Sequence, residues 1–202
     1  MRKLIVTNIM SLDGYYEGPG KDIMALFMAL PSDGSDMSFD EHNAERLRAA
    51  DTLLLGRTSF DGFKSYWPPL AENNEAPEVE REISRLDNAI EKVVVSDSLT
   101  EDQTDPWRST TRIVRRADAH DTVAEMKRGE GRDIIVFGSR TMWNDLLKHG
   151  LVDELQLFVG AVVLGSGTPI FESETPVTLE LLETKRFEGS SNAVLRYSVN
   201  QA

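Results

Sequence analysis

Short apolar runs, each stopped by a glycine or a small hydroxylated residue, alternate along this chain with stretches where apolar residues return every three or four positions. The runs around Ile5-Val6, Leu53-Leu54-Leu55, Val93-Val94-Val95 and Ile134-Ile135-Val136-Phe137 are short and almost wholly apolar, which predicts strands covered on both faces. Helical spacing predicts helices at residues 21–30, with Ile23, Met24, Leu26 and Phe27 on the apolar side, and from Ser38 to near Ala50. Ser38 with Glu41 three positions on reads as a capping box. Further helical patterns lie at 58–66, 77–86, 119–128 and 141–149. This βα alternation predicts an α/β domain over residues 1–202, layered around a mostly parallel central sheet. Two late strands, 177–187 and 193–199, flank Glu188-Gly189-Ser190-Ser191-Asn192 and predict a C-terminal antiparallel hairpin. Residues 11–20 read as a glycine-rich loop. Residues 67–77, broken by Pro68, Pro69 and Pro77, read as an irregular excursion whose Trp67 either walls a pocket or covers the core edge.

The strand ends carry the candidate chemistry. Phe137 is followed by Gly138, Ser139, Arg140, Thr141 and Met142, a strand-to-helix junction where glycine permits close approach of a ligand and a new helix offers free N–H groups to an anion. Gly56, Arg57, Thr58 and Ser59 repeat the pattern, with an arginine able to hold a phosphate by paired N–H bonds. Val95, Ser96 and Asp97 form a third such exit. Three exits on one sheet suit a nucleotide lying across the carboxyl ends of the strands; the plainer alternative is three ordinary packed turns.

Charge narrows the partners. Twenty-two Lys and Arg against 34 Asp and Glu give a net charge of −12, which argues against nucleic acid or an anionic membrane. Any phosphate therefore needs local positive charge, for which Arg57 and Arg140 are the candidates. The absence of cysteine removes disulfides, cysteine-bound zinc and a thiol nucleophile. His42, His120 and His149 show no metal-ligand spacing, so each is expected at the surface or a helix end and no metal site is expected. Ser139 and Ser166 lack a hydrolase elbow. Asp153 and Glu154, adjacent at a strand start, point to opposite faces and make no carboxylate dyad. Asp33-Gly34-Ser35-Asp36 lacks the remaining ligands of a calcium loop and reads as a solvated turn. The amino terminus has no signal-peptide core and no stretch approaches the roughly 20 apolar residues of a membrane helix, so a cytoplasmic protein is expected.

The order of Ile5-Val6-Thr7-Asn8-Ile9-Met10-Ser11-Leu12-Asp13-Gly14-Tyr15, Leu55-Gly56-Arg57, Val94-Val95-Ser96, Phe137-Gly138-Ser139, 151–157 and 163–171 resembles the dihydrofolate-reductase-like family, in the branch that includes the reductase domain of bacterial riboflavin biosynthesis. The resemblance implies that family's three-layer fold, NADPH as cofactor with NADH possible, and hydride transfer to a small heterocycle of pterin or pyrimidine type or to another C=N, C=C or C=O group. It implies that Leu12, Asp13 and Gly14 form the loop over the nicotinamide, with Asp13, or a water beside it, as proton donor; the alternative for Asp13 is a structural role in capping the turn. Gly56, Arg57, Thr58 and Ser59 then match the first phosphate turn, Val95, Ser96 and Asp97 the adenosine side, and Phe137 to Met142 the pyrophosphate turn. Two positions depart from the family. Asp97 places a carboxylate near the expected 2′-phosphate, and Ser139 replaces the second glycine of a Gly-Gly pair. No acid on the helix after the first loop matches the one that holds folate. Relatives of this branch are often dimers, and Leu155, Leu157, Val159, Val162 and Val163 are the expected homodimer surface, with simple core burial as the alternative for the same residues. The competing reading is a nucleotide-binding regulatory protein that keeps the cleft without turnover.

Overall fold

The computed structural model describes residues 1–28, 30–31, 35–172 and 176–200. Its strands are β1 (Leu4–Ser11), β2 (Tyr15–Glu17), β3 (Ala50–Gly56), β4 (Glu91–Val95), β5 (Thr111–Val114), β6 (Asp133–Phe137), β7 (Glu154–Gly160), β8 (Thr168–Pro169), β9 (Thr178–Arg186) and β10 (Ala193–Asn200). Its helices are α1 (Ser38–Ala49), α2 (Arg57–Tyr66), α3 (Glu78–Ala89), α4 (Ala119–Arg128) and α5 (Arg140–Lys148). The main sheet has the order β5-β4-β3-β6-β1-β7-β10-β9, parallel from β5 through β7 and antiparallel beyond.

Alternation along the central strands feeds two cores. Leu54, Val93, Ile134 and Val136 pack with Val123 of α4 and Trp143 and Leu146 of α5. Leu53, Leu55, Val94, Ile135 and Phe137 point the other way and pack with Leu47 of α1, Phe60 of α2 and Ile83 of α3. The apolar runs are thus consumed on both faces, as a covered parallel sheet requires. α2 runs into Pro68 and Pro69, which lack the N–H needed to continue it, and the excursion beyond contains a 3-10 turn at Pro68–Glu72. Trp67 covers the core edge, packed at a tilt against Phe63 and edge-to-face with Tyr66.

Several sequence expectations need correction. Residues 21–30 form no single helix but short 3-10 turns at Pro19–Lys21 and Met24–Phe27, because Gly20 and Lys21 adopt positive φ; Ala29 lies outside the described residues. The loop expected at 11–20 contains β2, which pairs with β8 in a small second sheet. Within 163–171, the last stretch of the resemblance, only β8 is strand, since glycines 165 and 167 turn at positive φ. Ser38 is the first helical residue rather than the cap, and its N–H donates to Asp36 Oδ1 at 3.0 Å. Asp33 and Gly34, read as part of an acidic turn, lie outside the described residues. Leu155 and Leu157 are core residues, because β10 covers β7 and removes it from the sheet edge. Asp153 and Glu154 do diverge, Asp153 to Lys127 and Glu154 to Arg196. Among the described residues no helix is long and apolar enough to cross a membrane.

Candidate functional site

The chain leaving β3 turns into α2 on one face, whereas the chain leaving the adjacent β6 turns into α5 on the other. Such a divergence opens a crevice at the carboxyl ends of neighbouring strands. With strands about 4.8 Å apart, the exits of β4, β3, β6 and β1 cover about 14 Å of one edge.

At the crevice the two helix starts are tied together. Gly56 N–H donates to Ser139 Oγ at 2.9 Å, and Ser139 N–H donates to Ser59 Oγ at 2.8 Å. Ser59 and Ser139 therefore brace one helix start against the other rather than cap their own helices. Neither α2 nor α5 has a side-chain cap, which leaves the first-turn N–H groups around Arg57, Thr58 and Ser59 and around Arg140, Thr141 and Met142 to an anion or water. Gly138 (φ 57°) and Ser139 (φ 54°) are successive left-handed residues. A Cβ on Gly138 would lie 2.8 Å from Ser59 Oγ and 3.3 Å from Tyr16 Oη, so only glycine fits. Asn8 of β1 donates to the Gly138 carbonyl at 3.2 Å. Tyr16, missed at the sequence level, stands over this turn, and burial pushes its hydroxyl up to about 12, keeping it a neutral donor.

The arginines behave differently from one another. Arg57 is held by Asp61 at 2.6 Å and Gln103 at 3.1 Å at the start of α2. Arg140 is committed to the far side: its Nε donates to the Pro169 carbonyl, and its guanidinium reaches Glu172 and the Phe171 carbonyl at 3.5 Å. Its charge is thus partly spent on anchoring β8 to α5. At the β4 exit, Ser96 Oγ accepts from the N–H groups of Ser98 and Leu99, shaping the turn after Val95. Arg115 donates to the Ser96 and Asp97 carbonyls, and Asp97 Oδ1 accepts from Arg116 N–H at 3.0 Å. The Arg115–Arg116 pair at the β5 exit escaped notice; the signal was Ile113-Val114 followed by two basic residues.

At the β1 exit, Gly14 turns at φ 85° and its N–H donates to the Ser11 carbonyl. The Asp13 side chain accepts from Leu164 N–H at 3.1 Å and Gly165 N–H at 2.7 Å, while Leu12 N–H donates to the Val162 carbonyl at 2.8 Å. The Ser11 hydroxyl and these two N–H groups hold the exposed Asp13 carboxyl below its ordinary range. Leu12, Met24 and Val163 are each 66% exposed and Met28 75%, an apolar rim around this loop and the adjoining 3-10 turn.

His42 corrects its surface assignment: it is buried on α1, 3.3 Å from Thr7 Oγ1, and burial pushes it down to about 4, so it is neutral. His120 and His149 occupy helix ends and meet each other across α4 and α5.

The profile of the RibD C-terminal domain matches residues 2–193, and the chain belongs to that family. Its members and structural neighbours have a reductase-type, dihydrofolate-reductase-like fold. Among sequence relatives, the uncharacterized protein YyaP of Bacillus subtilis is 30% identical over 187 residues, 92% of this chain and 89% of that one. A Shewanella sp. PV-4 protein assigned by its name to riboflavin biosynthesis superposes with a TM-score of 0.69 at 18% identity, covering 98% and 99% of the two chains. Dihydrofolate reductase of Enterococcus faecalis, solved with NADP(H), superposes with a TM-score of 0.58 at 15% identity over 98% and 97%. The bifunctional deaminase/5-amino-6-(5-phosphoribosylamino)uracil reductase of Thermotoga maritima gives 0.60 at 10% identity, with this chain spanning 57% of it.

Proposed function

We propose that the protein is a cytoplasmic NADPH-dependent reductase acting on a small flat heterocycle of pterin or pyrimidine type. The observation that carries the reading is the pair of uncapped helix starts, α2 and α5, tied together at Gly56 and Ser139 beside a left-handed glycine. Such convergent N–H groups suit a pyrophosphate, and no Cβ crowds the approach at Gly138. Arg57, with Arg115 and Arg116, supplies positive charge at the β3–β5 end, where a 2′-phosphate would be held; Asp97 is occupied with Arg116 and so blunts rather than blocks this. The cofactor, when bound, supplies a hydride from C4 of its nicotinamide.

The chain's own part is binding, orientation and exclusion of water. Leu12, Met24, Met28 and Val163 give a planar substrate an apolar rim, and the Leu12-Asp13-Gly14 loop closes that end. Asp13 works as a latch: a carboxylate kept ionised by three donors makes a poor general acid, so the proton comes from a water beside it. The reading is tested by calorimetry with NADPH and NADH. Arg57→Ala should weaken NADPH by about tenfold or more, the size of one charge-assisted contact, and NADH less. Absence of NADPH binding to the native chain, or no NADPH oxidation with any heterocycle of a substrate panel, overturns the assignment.

The same proposal includes a two-fold dimer. β9 ends the sheet with Leu181 and Leu182 about half exposed, and Leu181 lies in register with Tyr197 of β10. An apolar edge of this kind invites pairing with a second copy.

A further inference from the structure

We propose that His120, Asp145 and His149 form a binding site for a divalent late transition metal, remote from the crevice, which staples the start of α4 to the end of α5. Twenty-nine positions separate the two histidines, yet their ring centroids lie 3.9 Å apart. Between them stands Asp145, with His120 Nε2 at 2.6 Å from Oδ2 and His149 Nδ1 at 3.6 Å from Oδ1. One ligand atom from each of the three residues falls within 4.8 Å of the other two. Tetrahedral bonds of about 2.0–2.1 Å put ligand atoms about 3.3 Å apart, so closure onto a metal needs only small side-chain rotations. The groups are free to make them, since all three side chains are roughly 40–50% exposed.

Asp145 and His149 are spaced i, i+4 on α5, the separation that puts two ligands on one helix face. His149 Nδ1 lies 2.8 Å from the Asp145 carbonyl oxygen; donating there, it fixes the ring and leaves Nε2 as the nitrogen for the metal. Two imidazoles and one carboxylate select Zn²⁺, Ni²⁺ or Cu²⁺ over Mg²⁺ or Ca²⁺, which prefer oxygen. Three protein ligands leave a position for water. Because α5 begins at Arg140, directly after Ser139, the metal would fix the far end of the helix whose start faces the crevice.

The test is zinc titration of the full chain after chelator treatment, followed by calorimetry, with Mg²⁺ as control and His120→Ala, Asp145→Asn and His149→Ala alongside. One zinc per chain is expected, with no response to Mg²⁺, and at least tenfold weaker zinc in each variant, a loss at least as large as that from removing a group that only hydrogen-bonds a ligand. Circular dichroism checks that the variants remain folded. Zinc should also raise the Tm of the native chain and not of the variants, by mass action. Should a variant fail to fold, the imidazole NMR signals of His120 and His149 in the native chain decide: both should shift with zinc while those of His42 do not. Failure of the native chain to bind zinc, equal binding by folded variants, or unmoved His120 and His149 signals would overturn the site.

Discussion

Gly56 and Gly138 look alike in the sequence, each ending an apolar run, but the structure separates them. A methyl at Gly56 would meet nothing nearer than 3.8 Å, with φ at −81°, whereas at Gly138 it meets Ser59 at 2.8 Å with φ at 57°. Gly138→Ala is therefore expected to destabilise by about 1–3 kcal/mol and to abolish most NADPH binding, while Gly56→Ala keeps both near native values. Urea denaturation and calorimetry on the two variants check this; equal losses would refute it. Asp13 offers a second residue-scale contrast. Asp13→Ala should speed amide hydrogen exchange at Leu164 and Gly165 and leave NADPH affinity nearly unchanged. Unaltered exchange there would remove the latch. Gly138 was legible because a left-handed turn leaves a local mark. The partners of Asp13 were not, because they lie some 150 residues away and are backbone groups that any side chain could carry.

At the scale of elements, α3 and β4 bury an ionisable pair outside the crevice. Lys92 Nζ donates to the Ile90 carbonyl at 2.9 Å and to Thr110 Oγ1 at 3.0 Å, and lies 4.5 Å from the centre of the Trp107 ring. Asp87 is fully buried with neither carboxyl oxygen hydrogen-bonded. Burial pushes Asp87 up to about 7 and Lys92 down to about 8. Between about pH 4 and 7 the folded chain holds a proton at Asp87 that the unfolded chain has released, so this group's contribution to stability declines as pH rises through that window. Lys92 acts in the opposite sense between about pH 8 and 10.5, where the unfolded chain holds the extra proton. Asp87→Asn should thus gain stability relative to the native protein as pH climbs from 4 to 7, by roughly 1.4 kcal/mol per unit at most. A urea-midpoint difference that stays flat across that range would exclude the account. Regular elements were legible where periodicity is long: α4 fills residues 119–128 as read, and α2 and α5 start one residue early. Elements held by distant pairing were not, since β2 and β8 are short and carry no period of their own.

For the whole molecule, the order of exits along one sheet edge was readable because each exit is local and the parallel topology then lines them up. The surface proposed to pair two copies was not. Leu155 and Leu157 look like an apolar edge in the sequence, but β10 covers them, and the half-exposed Leu181 and Leu182 sit on β9. Light scattering should report twice the 22.6 kDa chain mass at micromolar concentration, falling to one chain for Leu181→Asp. A native monomer, or a dimer indifferent to that change, would count against the β9 face.

The central place of β6 also governs how the chain is made. β1 finds both of its neighbours, β6 and β7, only in residues 133–160, and β3 likewise borders β6. During synthesis, then, the apolar β1 emerges early and waits with both edges bare until more than a hundred further residues have left the ribosome. A nascent chain stalled before residue 133 has no seam between its two halves. It is at that stage, rather than in the finished fold, that the open edges of β1 are most exposed to pairing with another chain.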